Sequence, residues 1–261
     1  MRIQIVGGGK MGEALLGGMV ESGWASPADV AVIELSETRR GELAASHPGV
    51  VVGDSLHDGV DALIAVKPQH VTEVVTELAT LGVERILCVA AGVTIASMGA
   101  AGPDMRVIRC MPNTPALVGE GASAIAGGPT ATNDDLAWAE SILSAVGIVE
   151  RVDETDLDAV TGLSGSGPAY VFHLAEALMA AAIAQGLAPD VADRLTRQTL
   201  LGASRLLAES GEDPAILREN VTSPGGTTAA GLAQFAESDF VGLVDRVVTA
   251  AVDRSRELGA N

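Results

Sequence analysis

Hydrophobic and polar positions divide the chain into two regimes. From Met1 to about Val152, short runs rich in Val, Ile and Ala alternate with stretches of helical period: RIQIV, then MGEALLGGMVES, then VAVIE, ALIAV, RILCVAA, RVIRC, SAIAG and GIVERV. Near-continuous apolar strands separated by helices read as an α/β doubly wound parallel sheet, covered on both faces. After Asp153 the strand runs cease and long Ala/Leu segments take over, predicting helices over 166–186, 190–209, 213–220, 226–237 and 240–258. The expected domains are 1–152, built on the sheet, and 153–261, all helix.

Composition narrows the class. An apolar fraction of 48% in 261 residues supplies core for one large or two modest domains. The longest Ala/Leu stretch, around Leu174 to Ala188, is broken by Glu176 and Gln185, so no segment is expected to reach the roughly 20 apolar residues of a membrane span. Arg2 leads directly into IQIV without a signal-peptide pattern, and a cytoplasmic location is expected. The formal charge of −18 argues against nucleic acid or an anionic membrane surface as partner, since either needs a basic face. Any anionic ligand must then be held by backbone dipoles and a few cations. Cys88 and Cys110 stand in apolar strand runs and are expected to be reduced and buried. His47, His57, His70 and His173 lack metal-ligand spacing, so no metal site is expected. Small residues such as Ala175, Ala182, Ala203, Ala230 and Gly231 recur in the helical half, which is expected to pack against a second copy of itself.

The chemistry-bearing segments follow the strands. IQIVGGGKMGEAL sets Gly7, Gly9 and Gly12 in G-x-G-x-x-G spacing between a strand and a helix, as a dinucleotide-binding loop requires. Gly7 permits the tight turn, Gly9 lets a pyrophosphate approach, and Gly12 lets helix and strand pack. At the end of VAVIE, Glu34 could accept hydrogen bonds from an adenosine 2′-hydroxyl, whereas Ser36, Thr38, Arg39 or Arg40 could hold a 2′-phosphate; NAD and NADP both stay open. Lys67-Pro68-Gln69, Ala90-Ala91-Gly92 and Met111-Pro112-Asn113-Thr114-Pro115 each close a strand, where open parallel sheets bind ligands. VTSPGGTT, residues 221–228, reads either as a helix boundary or as a helix start whose N–H groups and hydroxyls cradle a small anion.

Taken in order, GGGKMGEAL, AVKPQ, AAGV, RCMPNTPA, GLSGSGPAYVF and VTSPGGTT resemble the pyrroline-5-carboxylate reductase family over residues 7–228. The resemblance implies a Rossmann domain followed by an all-α dimerisation domain, and homodimers that can assemble into rings. It implies reduction of 1-pyrroline-5-carboxylate to L-proline, with NADPH as cofactor and NADH possible. Carried onto this sequence, it sets Gly7, Gly9, Lys10, Met11 and Gly12 at the cofactor phosphates, Lys67 and Pro68 beside its ribose, and Ala91, Gly92, Asn113 and Thr114 beside the nicotinamide. Ser223 and Thr228 would hydrogen-bond the substrate, with the N–H groups of Gly225, Gly226, Thr227 and Thr228 receiving its carboxylate, while Ser164, Ser166, Gly167, Pro168 and Tyr170 open the helix that closes the pocket. Where NADPH-preferring members commonly carry a basic residue after the second strand, this chain has Glu34-Leu35. Two alternatives remain. β-Hydroxyacid dehydrogenases share the plan but use a lysine in the helical domain, whereas the two lysines here, Lys10 and Lys67, both lie in the first half. A non-catalytic dinucleotide-binding protein would have no use for SPGGTT or SGSGPAY. His173 is expected to be structural.

Overall fold

The computed structural model describes residues 1–259; the last two residues of the expected helical domain, Ala260 and Asn261, lie outside the described residues. Its described part forms two compact units, one of residues 1–166 with the stretch from 250 onward, the other of residues 167–249.

The first unit is built on eight strands: β1 Ile3–Val6, β2 Val30–Ile33, β3 Val51–Gly53, β4 Ala62–Ile64, β5 Arg85–Cys88, β6 Arg106–Met111, β7 Gly121–Gly127 and β8 Gly147–Arg151. They pair in the order β3-β2-β1-β4-β5-β6-β7-β8. The first six are mutually parallel, β7 runs antiparallel to β6, and β8 is parallel to β7. Two details depart from the sequence expectation of a parallel sheet. Strand β3 has no counterpart among the apolar runs, because it is a half-exposed edge of three residues with no room for a period. Strand β7 reverses because only a short 3₁₀ turn, Thr114–Val118, separates it from β6, whereas a parallel return needs a crossover of about a dozen residues.

Five helices cover the sheet: α1 Lys10–Glu21, α2 Glu37–Ser46, α3 Val71–Thr80, α4 Ile95–Ala101 and α5 Asn133–Leu143. Alternating strand residues face two separate cores. Ile3, Ile5, Val32, Leu63, Leu87 and Ile108 pack with Leu15, Leu16 and Met19 of α1, Leu43 of α2 and Ile142 of α5. Ile33, Ile64, Ile86, Cys88 and Val107 pack with Val71, Val75 and Leu78 of α3 and Met98 of α4. On α1 the buried positions Gly12, Leu15, Leu16 and Met19 follow the helical period. Each fully buried Leu or Ile contributes about 1.5–3 kcal/mol. Cys88 and Cys110 are buried and unpaired, in opposite cores. Burial pushes the Cys88 thiol up to about 11 and raises Cys110 too, so both stay protonated at neutral pH.

Beyond β8 the chain turns through α6, Leu157–Val160, and a π-turn over Thr161–Gly165, closed by the Ser166 N–H on the Thr161 carbonyl at 2.8 Å. This segment still belongs to the sheet: Leu157 is buried in the second core, and Glu154 accepts from the Ile95 N–H at 2.7 Å and from the buried Arg109 at 2.9 Å. Strands end at residue 151, but packing against the sheet extends to 166.

The second unit contains α7 Gly167–Ala184, α8 Pro189–Ser210, α9 Pro214–Asn220, α10 Thr227–Glu237 and the first half of α11 Phe240–Gly259. These bounds fall within two residues of the sequence expectation, because Gly186, Gly211 and the Asp213-Pro214 pair punctuate the chain. No residue of α7 is buried. The last turns of α11 belong to the first unit, where the Ser255 hydroxyl donates to Asp158 at 2.6 Å. One expectation needs correcting: the helical run Glu154–Ala184 is, by length and composition alone, long and apolar enough to cross a membrane. The stretch from Leu174 is broken by Glu176 and Gln185, but the helical run through it starts at Glu154, and residues before Leu174 complete an apolar window.

Candidate active site

Strands β1, β2, β4, β5 and β6 end along one edge of the sheet, and the strand order reverses between β1 and β4, the switch point at which such sheets bind ligands. The glycine-rich loop lies there. Gly7 sits at φ +107°, and an added Cβ would meet the Ala65 carbonyl oxygen at 2.7 Å. At Gly12 a Cβ would be driven into the Gly7 carbonyl oxygen. At Gly9, which is exposed, a Cβ would meet nothing. Gly9 is the N-cap of α1 and no side chain caps that end, so the first N–H groups of the helix point outward beside Lys10. Among the described residues neither Lys10 nor Lys67 is ion-paired, and both are exposed. Uncapped N–H groups, a free ammonium and an open glycine suit a pyrophosphate. Met11 lies half-buried behind the loop, against the first core. Gly8, which the spacing does not single out, is equally confined, since its Cβ would strike the side chains of Leu43 and Glu34.

Glu34 follows β2 and is fixed from both oxygens. Oε2 accepts from the Gly8 N–H at 3.0 Å and Oε1 from the Ser36 N–H at 2.9 Å. The Ser36 hydroxyl caps α2 by accepting from the Arg39 N–H at 3.3 Å. Arg39 donates to the Gly8 carbonyl at 2.8 Å, to Glu42 at 2.8 Å and to Glu13 at 2.5 Å. Arg40 donates to the carbonyls of Glu34 and Leu35 at 2.8 and 2.9 Å and lies 3.6 Å from Asp54. The two arginines thus brace the loop with carboxylate and carbonyl partners, and the hydroxyl of Ser36 is already engaged. Arg39 also holds the Glu13 carboxyl below the usual range, against the opposing effect of burial and with help from His47.

Farther along the edge, Lys67 precedes a 3₁₀ turn begun by Pro68, and exposed Ala91 leads into Gly92 at φ +75°. A Cβ on Gly92 would meet that of Leu258 on α11 at 3.4 Å. Asn113 is buried and both ends of its amide are committed: Oδ1 accepts from the Ala122 N–H at 2.9 Å, and Nδ2 donates to the Ser164 carbonyl at 3.0 Å. The MPNTP loop and the SGSG turn, far apart in sequence, are joined by this one side chain. Its neighbour Thr114 is exposed.

In the second unit, SPGGTT folds as a tight turn followed by a helix. The Gly226 N–H donates to the Ser223 carbonyl at 3.0 Å, with Pro224 and Gly225 between them and Gly225 at φ +71°, the pattern of a type II turn. Gly226 is then the N-cap of α10, and no side chain caps it. Thr227 and Thr228 are therefore the first two residues of the helix, with their N–H groups at its open positive end. The expectation of a carboxylate cradle from Gly225 through Thr228 needs one amendment. The turn takes the Gly226 N–H for itself.

Comparison with known proteins bears on both units. Residues 154–258 match the family described as pyrroline-5-carboxylate reductase dimerisation, and residues 2–92 match the one described as NADP oxidoreductase coenzyme F420-dependent. The pyrroline-5-carboxylate reductase of Synechocystis is 40% identical over 99% of this chain and 98% of its own. The Arabidopsis thaliana enzyme is 40% identical over 98% of this chain and 95% of its own. The chain belongs to the pyrroline-5-carboxylate reductase family. Solved structures agree: the pyrroline-5-carboxylate reductase of Coxiella burnetii superposes with a TM-score of 0.91 at 34% identity, covering 98% of both chains. That of Plasmodium falciparum, a structure with NADP bound, gives 0.84 at 25% identity over 99% of this chain and 98% of that one.

Membership in the reductase family gives the apolar α7 a context, since the dimerisation match contains it whole. His173 stands on α7 at 86% side-chain exposure and pairs with Glu176 at 3.1 Å, one turn along. The residues that sequence reasoning missed are Gly8, the bracing pairs of Arg39, and Glu154. None is singled out by a spacing motif, and apart from Glu42, three residues beyond Arg39, their partners lie 26 to 59 residues away.

Proposed function

We infer that this protein reduces 1-pyrroline-5-carboxylate to L-proline with a reduced nicotinamide dinucleotide, NADPH or NADH. The observation that carries this reading is full-length identity of about 40% to enzymes of that name. The loop fits the cofactor: Gly9 leaves room where a Cβ would stand, and α1 offers uncapped N–H groups. When bound, the nicotinamide supplies a hydride to the imine carbon.

In this reading, Gly7, Gly9, Met11 and Gly12 shape the pyrophosphate cradle and Lys10 adds a charge. Lys67 and Pro68 stand beside the ribose, while Ala91, Gly92, Asn113 and Thr114 border the nicotinamide. Asn113 acts there as a fixed post, because its amide is held on both sides. Glu34 and the Ser36 turn border the adenosine. Ser223 and Thr228 hydrogen-bond the imino acid, and the N–H groups of Thr227 and Thr228 receive its carboxylate. Gly225 and Gly226 set the turn that presents them. The imine nitrogen takes up one proton as its carbon takes the hydride, and the Thr228 hydroxyl orients or relays that proton. A protonated imine is already activated, so no strong acid is required. Dinucleotide binding is assigned to 1–152 and dimerisation and substrate binding to 153–261, a functional division that leaves residues 153–166 and the last turns of α11 packed with the sheet. The working form is a cytoplasmic homodimer, with rings of dimers as a higher state, and with no nucleic-acid or membrane partner.

The assay is oxidation of NADH or NADPH by the purified protein on addition of pyrroline-5-carboxylate. Thr228→Val should lower kcat/KM at least about tenfold and leave the dissociation constant of the dinucleotide unchanged, as expected for one lost hydrogen bond to a charged ligand. A variant with lower melting temperature but normal turnover and KM would show that SPGGTT is only a helix boundary.

A further inference from the structure

We propose that Glu34 ranks the two coenzymes, so that this chain binds NADH more tightly than NADPH. The inference rests on the reductase reading above and narrows it.

Glu34 occupies the position after β2 at which such folds meet the adenosine ribose. Its carboxylate is held still by the N–H groups of Gly8 and Ser36, one on each oxygen. A carboxylate has roughly four lone-pair sites, so each oxygen can still accept from a ribose hydroxyl. A 2′-hydroxyl donates and suits it. A 2′-phosphate has only acceptors to offer at neutral pH and brings a charge of about −2.

The surroundings offer such a phosphate little relief. Glu13, Glu34, Glu42 and Asp54 are linked through contacts with Gly8, Arg39 and Arg40, and Glu37 opens the adjoining helix. Three carboxylates, of Glu13, Glu42 and Asp54, thus pair with the two guanidinium groups, which also donate to backbone carbonyls, and the Glu34 carboxylate adds a fourth negative charge beside them. Next to Glu34, Leu35 is 83% exposed. It offers apolar cover to an adenine in the place where a cation would be needed to hold the phosphate.

The test is calorimetric titration of the full-length protein with NADH, NADPH, ADP-ribose and its 2′-phosphate. Wild type should bind the two ligands lacking the phosphate at least about tenfold more tightly. Glu34→Ala should bring each pair to within about threefold. Leu35→Arg keeps the Glu34 hydrogen bonds, adds a cation, and should tighten NADPH relative to NADH. Equal or tighter NADPH binding by wild type would overturn the proposal: Arg39 or Arg40 would then have left its carboxylate partners to grip the phosphate. A folded Glu34→Ala protein with an unmoved ratio would overturn it as well. Should Glu34→Ala not fold, the wild-type ratio and Leu35→Arg decide. Binding and turnover with NADPH alone would defeat this inference and leave the reductase reading intact, whereas binding of neither coenzyme would defeat both.

Discussion

At Gly12 an added methyl group would run into the carbonyl oxygen of Gly7, whereas at Gly9 it would meet open space. The two substitutions should therefore separate fold from function. Gly9→Ala is expected to melt within about 1 kcal/mol of wild type, yet bind the dinucleotide at least about tenfold more weakly, because the methyl occupies room left for the pyrophosphate. Gly12→Ala should lower stability itself by about 1–3 kcal/mol through the forced backbone shift. Paired melting and titration experiments check this, and loss of stability at Gly9 comparable to that at Gly12 would refute it. These glycines were legible in the sequence because their spacing encodes a local backbone path. Glu34 was legible as a candidate, but its partners and those of Arg39 were not, since they depend on which loops the sheet brings side by side.

Helix α5 begins with a capping box in which Thr132 and Asp135 satisfy each other's backbone N–H groups. Asp135 is 1% exposed and also faces Arg85 at 3.2 Å and Arg106 at 3.6 Å. Burial pushes its carboxyl up, but the hydrogen bonds from Thr132 and the charges of Arg106 and Arg85 outweigh that and hold it below the usual Asp range. The unfolded chain therefore takes up this proton first as pH falls. The stability Asp135 contributes is complete above the ordinary Asp value of about 4 and is lost as pH drops through the folded value. Asp135→Asn should cost about 1–3 kcal/mol at neutral pH and much less in acid. Denaturant titrations at neutral pH and near pH 3 measure the difference, and an equal loss at both would exclude the mechanism. At this scale the sequence placed α8 at 190–209, and the structure has Pro189–Ser210. Helix ends carry local signals in Pro, Gly and Asp. The direction of β7 carries none, because it follows from the length of the preceding connection.

Seen whole, the helical unit leaves much of its apolar surface uncovered: Phe172 is 64% exposed and Val241 82%. The surplus of small and apolar residues made a second copy legible in the sequence, and the dimerisation family match spans the same helices. What composition could not convey is that α7 has no side chain of its own buried. In the proposed homodimer, stability of this half is not a constant of the single chain. It belongs to a bimolecular equilibrium, and each tenfold dilution removes about 1.4 kcal/mol from it. The melting midpoint should climb with protein concentration, and saturation with substrate should raise it further. Scans over a hundredfold range of concentration would read this directly, with a flat midpoint excluding it. A cell that made too little of this protein would thus lose activity twice over, once through fewer molecules and again through a larger unfolded share of those it has.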